Sequence, residues 1–167
     1  ILSLVLIVLA GCNINPDRAD LVINEVVVEN IDGYTNEFGE TYAWIEIYNN
    51  TTRTLDLSSI FITNDPNNPK KYAVPRGDNK TAVAPHQQVV FWADNKPSNG
   101  TFHLNFELDP TKENYIALYE ADGETLIDEM TIPAGMLANQ SYGYEKDGVK
   151  NDKTGNLATV LPRATPN

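Results

Sequence analysis

The sequence is short of the residues that staple or catalyse. Of its 167 residues one is Cys and two are His, so no internal disulfide can form and no His-rich zinc site can be assembled without carboxylates. Basic residues are also scarce. Twelve Lys+Arg against 23 Asp+Glu leave a formal net charge of -11, the wrong sign for releasing counterions from phosphate, so nucleic acid is not an expected partner. Long apolar runs are missing: the one at residues 1–11 falls well short of the about 20 residues that span a bilayer as a helix. What is present, 41% hydrophobic residues with 10 Gly and 10 Pro, excludes a disordered acidic tail and a collagen-like polymer. The length fits one folded domain with a short appendage.

Residues 1–11 carry no charge and have the makeup of a secretory h-region. They run into Leu9-Ala10-Gly11-Cys12, which resembles the bacterial lipoprotein box, where small residues let the signal peptidase close on the scissile bond. The resemblance implies that Cys12 is lipidated and becomes the mature N-terminus. It also implies anchoring to a membrane of the bacterial cell envelope, with the domain outside the cytoplasm. No Met or basic segment precedes Ile1, so the signal is expected to be truncated at its start. Residues 12–20 read as the lipidated Cys and a polar tether, and 21–167 as one domain.

Beyond the tether no window sustains the 3.6-residue apolar period of a helix. Short β-branched or alternating runs recur between Gly, Pro, Asn and Asp clusters, the pattern of an all-β sandwich or barrel. The runs at 21–29, 43–49, 55–62, 72–74, 89–93, 102–108, 114–119, 125–132, 142–144 and 157–161 give about nine or ten strands. In the 43–49 run Ile45 and Ile47 share one face and Trp44, Glu46 and Tyr48 the other. The Ile face is expected in the core and Glu46 away from it. Asp122-Gly123 between two runs predicts a hairpin, because Gly accepts the positive φ such turns require.

Several runs together resemble a known family. The motifs are Ile23-Asn24-Glu25-Val26, Trp44-Ile45-Glu46-Ile47-Tyr48-Asn49, Leu55-Asp56-Leu57-Ser58, Thr63-Asn64-Asp65-Pro66 and Val89-Val90-Phe91-Trp92-Ala93. Asn105-Phe106-Glu107-Leu108, Ala117-Leu118-Tyr119, Ser141-Tyr142-Gly143 and Thr165-Pro166-Asn167 follow in order. The ordered set is similar to bacterial lamin tail domains, with departures at Val74, where an aromatic is common, and at Pro85-His86, where Pro-Gly is common. The resemblance implies an immunoglobulin-like β-sandwich and carries over no catalytic residue. Such domains look like accessory modules of secreted or surface proteins, which fixes no single role.

The chemistry-bearing residues are few. There is no Gly-x-Ser-x-Gly, and neither His86 nor His103 lies near a Ser-bearing motif, so a serine hydrolase is not expected. Glu25 and Glu46 fall centrally in two runs that could be neighbours, and paired carboxylates serve glycoside hydrolysis when one stays protonated; a bond to a nearby hydroxyl or Lys, or an outward orientation, is the expected role. The chain reads as a non-enzyme with no required cofactor. Asp32 and Asp65, in Asp- and Asn-rich loops, are the residues a calcium ion would take. Trp44, Tyr48, Trp92, Tyr115 and Tyr119 would form a stacking platform if sugar were bound. The 30–42 segment, with Asp32, Tyr34, Glu37, Phe38 and Glu40, mixes charge with aromatics and is the expected partner-binding loop. The reading that follows is a membrane-anchored interaction module binding an envelope or extracellular protein or glycan. Its alternatives are an accessory domain of a secreted hydrolase or nuclease system and a carbohydrate-binding module.

Overall fold

The computed structural model describes residues 18–150 and 157–164; the signal segment and Cys12 lie outside them. Among the described residues eleven strands run in chain order: β1 Leu21–Val27, β2 Trp44–Asn49, β3 Leu55–Asp56, β4 Phe61–Thr63, β5 Tyr72–Ala73, β6 Ala82–Val83, β7 Gln88–Trp92, β8 Asn114–Tyr119, β9 Leu126–Ile132, β10 Ser141–Gly143 and β11 Thr159–Leu161. They form a five-stranded sheet, β11-β10-β1-β2-β7, a four-stranded sheet, β5-β4-β8-β9, and the small pair β3-β6. All named pairings are antiparallel, so the expected all-β sandwich is what the chain forms.

The core lies between the two large sheets, where Leu21, Ile23, Val26, Ile45, Ile47 and Phe91 of one sheet meet Ile62, Ile116, Leu118, Met130 and Ile132 of the other. Burying one such side chain fully contributes about 1.5–3 kcal/mol. The core residues along β1 and just past it fall out of phase: Leu21 and Ile23, then Val26 and Val28. A bulge between Ile23 and Glu25 explains this, since the pairing jumps from Ile23↔Ile47 to Glu25↔Glu46. The extra residue, Asn24, shifts the alternation by one. Gly143 of β10 packs against the bulge, where an added Cβ would lie 2.4 Å from the Asn24 carbonyl oxygen; only glycine fits that approach.

The outward face of the five-stranded sheet is covered too. Trp44 and Trp92 are paired directly across β2 and β7 and form a second apolar cluster with Val27. Ile45 and Ile47 face the core as expected, but Glu46 is 1% exposed rather than solvated. Its Oε1 accepts from Asn24 Nδ2 at 2.7 Å. Asn24 also donates to Asp147 at 2.9 Å and accepts from the Gly148 N–H at 3.0 Å, so the segment after β10 lies over this face.

Three further expectations change. Residues 102–108 form no strand: they make only the isolated bridges Trp92↔His103 and Asp94↔Glu107, while Leu104, Phe106 and Leu108 still fill the core. Alternation here records burial and not pairing. The strand β6 was not among the expected runs, being two residues long. The last residues of the tether are folded in: Arg18 pairs with Glu120 at 3.1 Å and donates to the carbonyls of Asp56 and Ser58 at 2.8 and 3.1 Å. Among the described residues no helix is long and apolar enough to cross a membrane.

Candidate interaction loop and its cleft

The connection between β1 and β2 is a long loop shaped by its own asparagines. Asn30 Nδ2 donates to the carbonyls of Tyr34 and Tyr42 at 2.7 and 2.9 Å, and its Oδ1 accepts from the Gly33 N–H at 3.1 Å. Asn36 Oδ1 accepts from the N–H groups of Phe38 and Glu40 at 3.0 and 2.9 Å. Asn139, in the connection before β10, accepts from the N–H groups of Ile31 and Asp32 at 2.8 and 3.2 Å. Asn139 holds φ at 63°, a left-handed conformation that Asn tolerates better than most residues. Short polar side chains thus supply the backbone partners that a sheet would otherwise provide.

Side chains then fasten the loop to the sandwich. The Tyr34 ring stacks on Trp92, with centroids 5.4 Å apart and planes at 23°. Lys96 bridges Glu40, at 3.3 Å, and the Tyr42 hydroxyl; the Tyr42 contact first, then Glu40, raises the ammonium above its ordinary value. Glu37 Oε1 reaches Nε2 of His103 at 3.2 Å, and Nδ1 of the same ring lies 2.6 Å from Asp94 Oδ2. Backbone hydrogen bonding, followed by His103 and Lys80 and against some desolvation, holds the Glu37 carboxyl below its ordinary value.

With its backbone fixed, the loop still presents apolar surface: Ile31 is 61%, Tyr34 49% and Phe38 56% exposed. Next to it opens a cleft of about 600 Å³. Asn30, Asp32 and Tyr34 of the loop line it with Asn139, which holds the loop backbone, and with Pro162 and Arg163 from the segment after β11; Val27 and Ala164 contribute apolar surface. Val27 and Ala164 belong to the cluster that holds Trp44 and Trp92.

The other candidates separate. Asp32 lines the cleft, whereas Asp65 shapes the turn after β4, its Oδ1 accepting from the Asn67 N–H at 2.9 Å. Among the described residues no group of three or more His, Cys, Asp or Glu is placed to hold a metal ion. Glu25 and Glu46 are cross-strand partners, but both are buried and engaged, Glu25 by the Ser141 hydroxyl and Glu46 by Asn24, so neither is open to a substrate. The aromatic platform does not assemble. Trp44, Tyr48 and Trp92 are buried, while Tyr115 and Tyr119 lie on the other sheet, where the Tyr115 hydroxyl donates to Glu129 at 2.9 Å.

Sequence reading placed Asp32, Tyr34, Glu37, Phe38 and Glu40 on one loop, and the structure keeps them there. It missed Asn30, Asn36, Asn139, Arg163 and the Asp94–His103 pair. Asn30 and Gly33 at a three-residue spacing are a legible turn signal; nothing local marks Arg163, which reaches the cleft from the far end of the chain.

Comparison with known proteins agrees with this architecture. No curated protein and no solved structure matches the chain. The family model of the lamin tail domain matches residues 15–134, well over half of the sequence, and stops short of β10, β11 and the cleft residues Asn139, Pro162, Arg163 and Ala164. On that match, and on the immunoglobulin-like sandwich that carries it, the chain belongs to the lamin tail domain family.

Proposed function

We propose that this chain is a non-enzymatic interaction module, anchored through a lipid on Cys12 to the bacterial cell envelope, that presents its 30–42 loop to an envelope or extracellular partner. The carrying observation is the loop itself: Ile31, Tyr34 and Phe38 stay exposed on a backbone already fixed by asparagine side chains. Preorganised apolar side chains of this kind bind with little ordering cost, and function concentrates on loops held by a rigid scaffold. The anchor reading rests on Leu9-Ala10-Gly11-Cys12. Stable attachment needs more than one acyl chain, each buried methylene adding about 0.8 kcal/mol.

Two measurements test the reading. With a complete signal sequence in front of Ile1, the wild type should take up labelled palmitate and sediment with membranes, and Cys12→Ala should do neither. Membrane retention of Cys12→Ala, with no label in the wild type, overturns the anchor. The Cys12→Ser chain, used as bait on envelope extracts, should retain a partner that Phe38→Ala and Tyr34→Ala lose while keeping the wild-type circular dichroism spectrum. Equal capture by all three overturns the loop assignment.

A further inference from the structure

The cleft beside the loop has a composition that selects among ligands. Its volume of about 600 Å³ falls inside the range of about 300–1,000 Å³ of small-ligand sites. Tyr34 lines it half-exposed while being braced by Trp92, so an aromatic ring is held ready. Around it stand a carboxylate, Asp32, a guanidinium, Arg163, and the amide of Asn139. The Asn139 oxygen is used by the loop backbone, which leaves its Nδ2 as a donor.

Each alternative ligand class meets an obstacle. A phosphate or other strong anion would face Asp32 in a chain of net charge -11. A cation would face Arg163 and too few carboxylates. An extended peptide that adds a strand pairs with a free sheet edge, whereas the cleft is lined by the residues that follow edge strand β11 and not by the strand itself. A neutral ring with an apolar C–H face and flanking hydroxyls meets none of these. The face lies on an aromatic ring, and each hydroxyl both donates, to Asp32, and accepts, from Arg163 or Asn139. We infer that the cleft between Tyr34 and Arg163 is a carbohydrate-binding site that takes a ring of a neutral glycan against Tyr34. The inference names the ligand of the module proposed above and rests on that reading. Tyr34 and Asp32 lie within the matched span of 15–134, whereas Asn139 and Arg163 lie beyond it, so the family model covers only part of the site.

The protein contains its own reporter. It has two tryptophans, Trp92 stacked on Tyr34 and Trp44 in the cluster with Val27 and Ala164, so intrinsic fluorescence reads this site. The Cys12→Ser chain is titrated with the hexasaccharides of glucose, N-acetylglucosamine, mannose and xylose. At least one should shift the tryptophan emission saturably. Tyr34→Ala should weaken that binding by about tenfold or more and Tyr34→Phe should preserve it. Arg163→Ala and Asp32→Ala should each cost about tenfold, the scale of one charge-assisted hydrogen bond. Tyr115→Ala, on the opposite sheet, should change nothing. No saturable shift with any of the four sugars, or binding that survives Tyr34→Ala in a folded variant, overturns the inference. Loop-dependent capture of an envelope protein without sugar binding overturns the carbohydrate assignment and leaves the interaction module standing. Failure of both removes the module reading as well.

Discussion

Glu37, on the exposed loop, is tied by its Oε1 to Nε2 of the fully buried His103 at 3.2 Å. Asp94 holds the other nitrogen from inside the domain at 2.6 Å, so one imidazole joins the loop to the segment after β7. The two ends of this bridge differ in burial. Glu37 is 57% exposed and Asp94 not at all, so Glu37→Ala should cost no more than about 1 kcal/mol. Asp94→Ala, which leaves a buried ring nitrogen without its partner, should cost more, about 1–3 kcal/mol. Amide exchange in residues 36–40 should nevertheless accelerate in Glu37→Ala. The Glu37 carboxyl is lowered from its ordinary value, so its contribution is complete above the ordinary carboxylate range and is lost as pH falls through the lowered value. The exchange difference between wild type and variant should shrink on acidification, and a difference that grows would reverse this assignment.

Truncation on either face of β2 should destabilise the fold, since both faces are buried. Ile47→Ala removes core volume and should cost about 2–5 kcal/mol. Glu46→Ala should cost about 1–3 kcal/mol, because it takes from the buried Asn24 amide one of its acceptors. Urea denaturation of both variants checks this; a negligible loss for Glu46→Ala would mean that the outer face of β2 is open to water.

His86 occupies a glycine conformation. Its φ is 54°, at the position where lamin tail domains commonly carry Pro-Gly, and its N–H donates to the Asn49 carbonyl at 3.0 Å. His86→Gly keeps that bond and removes the left-handed penalty, so thermal stability should rise by up to about 1 kcal/mol. His86→Val should lower it. Stabilisation by valine would show that the turn is not left-handed in solution.

The β8–β9 hairpin should weaken in acid through one residue. The backbone N–H groups of Thr125 and Glu124 hold the Asp122 carboxyl down to about 2, against an ordinary value near 3.9. A lowered carboxylate stabilises the fold above its unfolded value and ceases to do so as pH falls through the folded one. Asp122→Ala should therefore be less stable than wild type at neutral pH, and the gap should close between about pH 4 and about pH 2. A gap that is constant with pH would assign the effect to turn geometry alone.

The amino-acid order by itself determined the fold class, the hairpin at Asp122-Gly123 and the inward face of Ile45 and Ile47. Each follows from local chemistry: β-branched alternation, a glycine that accepts positive φ, and the absence of any helical period. It also placed Asp32, Tyr34, Glu37, Phe38 and Glu40 together, because they are neighbours in the chain. Only the tertiary structure decided what covers the second face of the five-stranded sheet. Glu46 is buried because Asn24 and the segment after β10 lie over it, and Trp44 and Trp92 became neighbours because β2 pairs with β7. The phase shift in β1 needed the bulge at Asn24, which appears only when β2 is set beside it. The cleft joins residues 30–34 to 162–164, more than a hundred positions apart, and no local pattern encodes a contact of that range. Burial and register are properties of what packs against a strand, so they emerge only once the partners have been chosen.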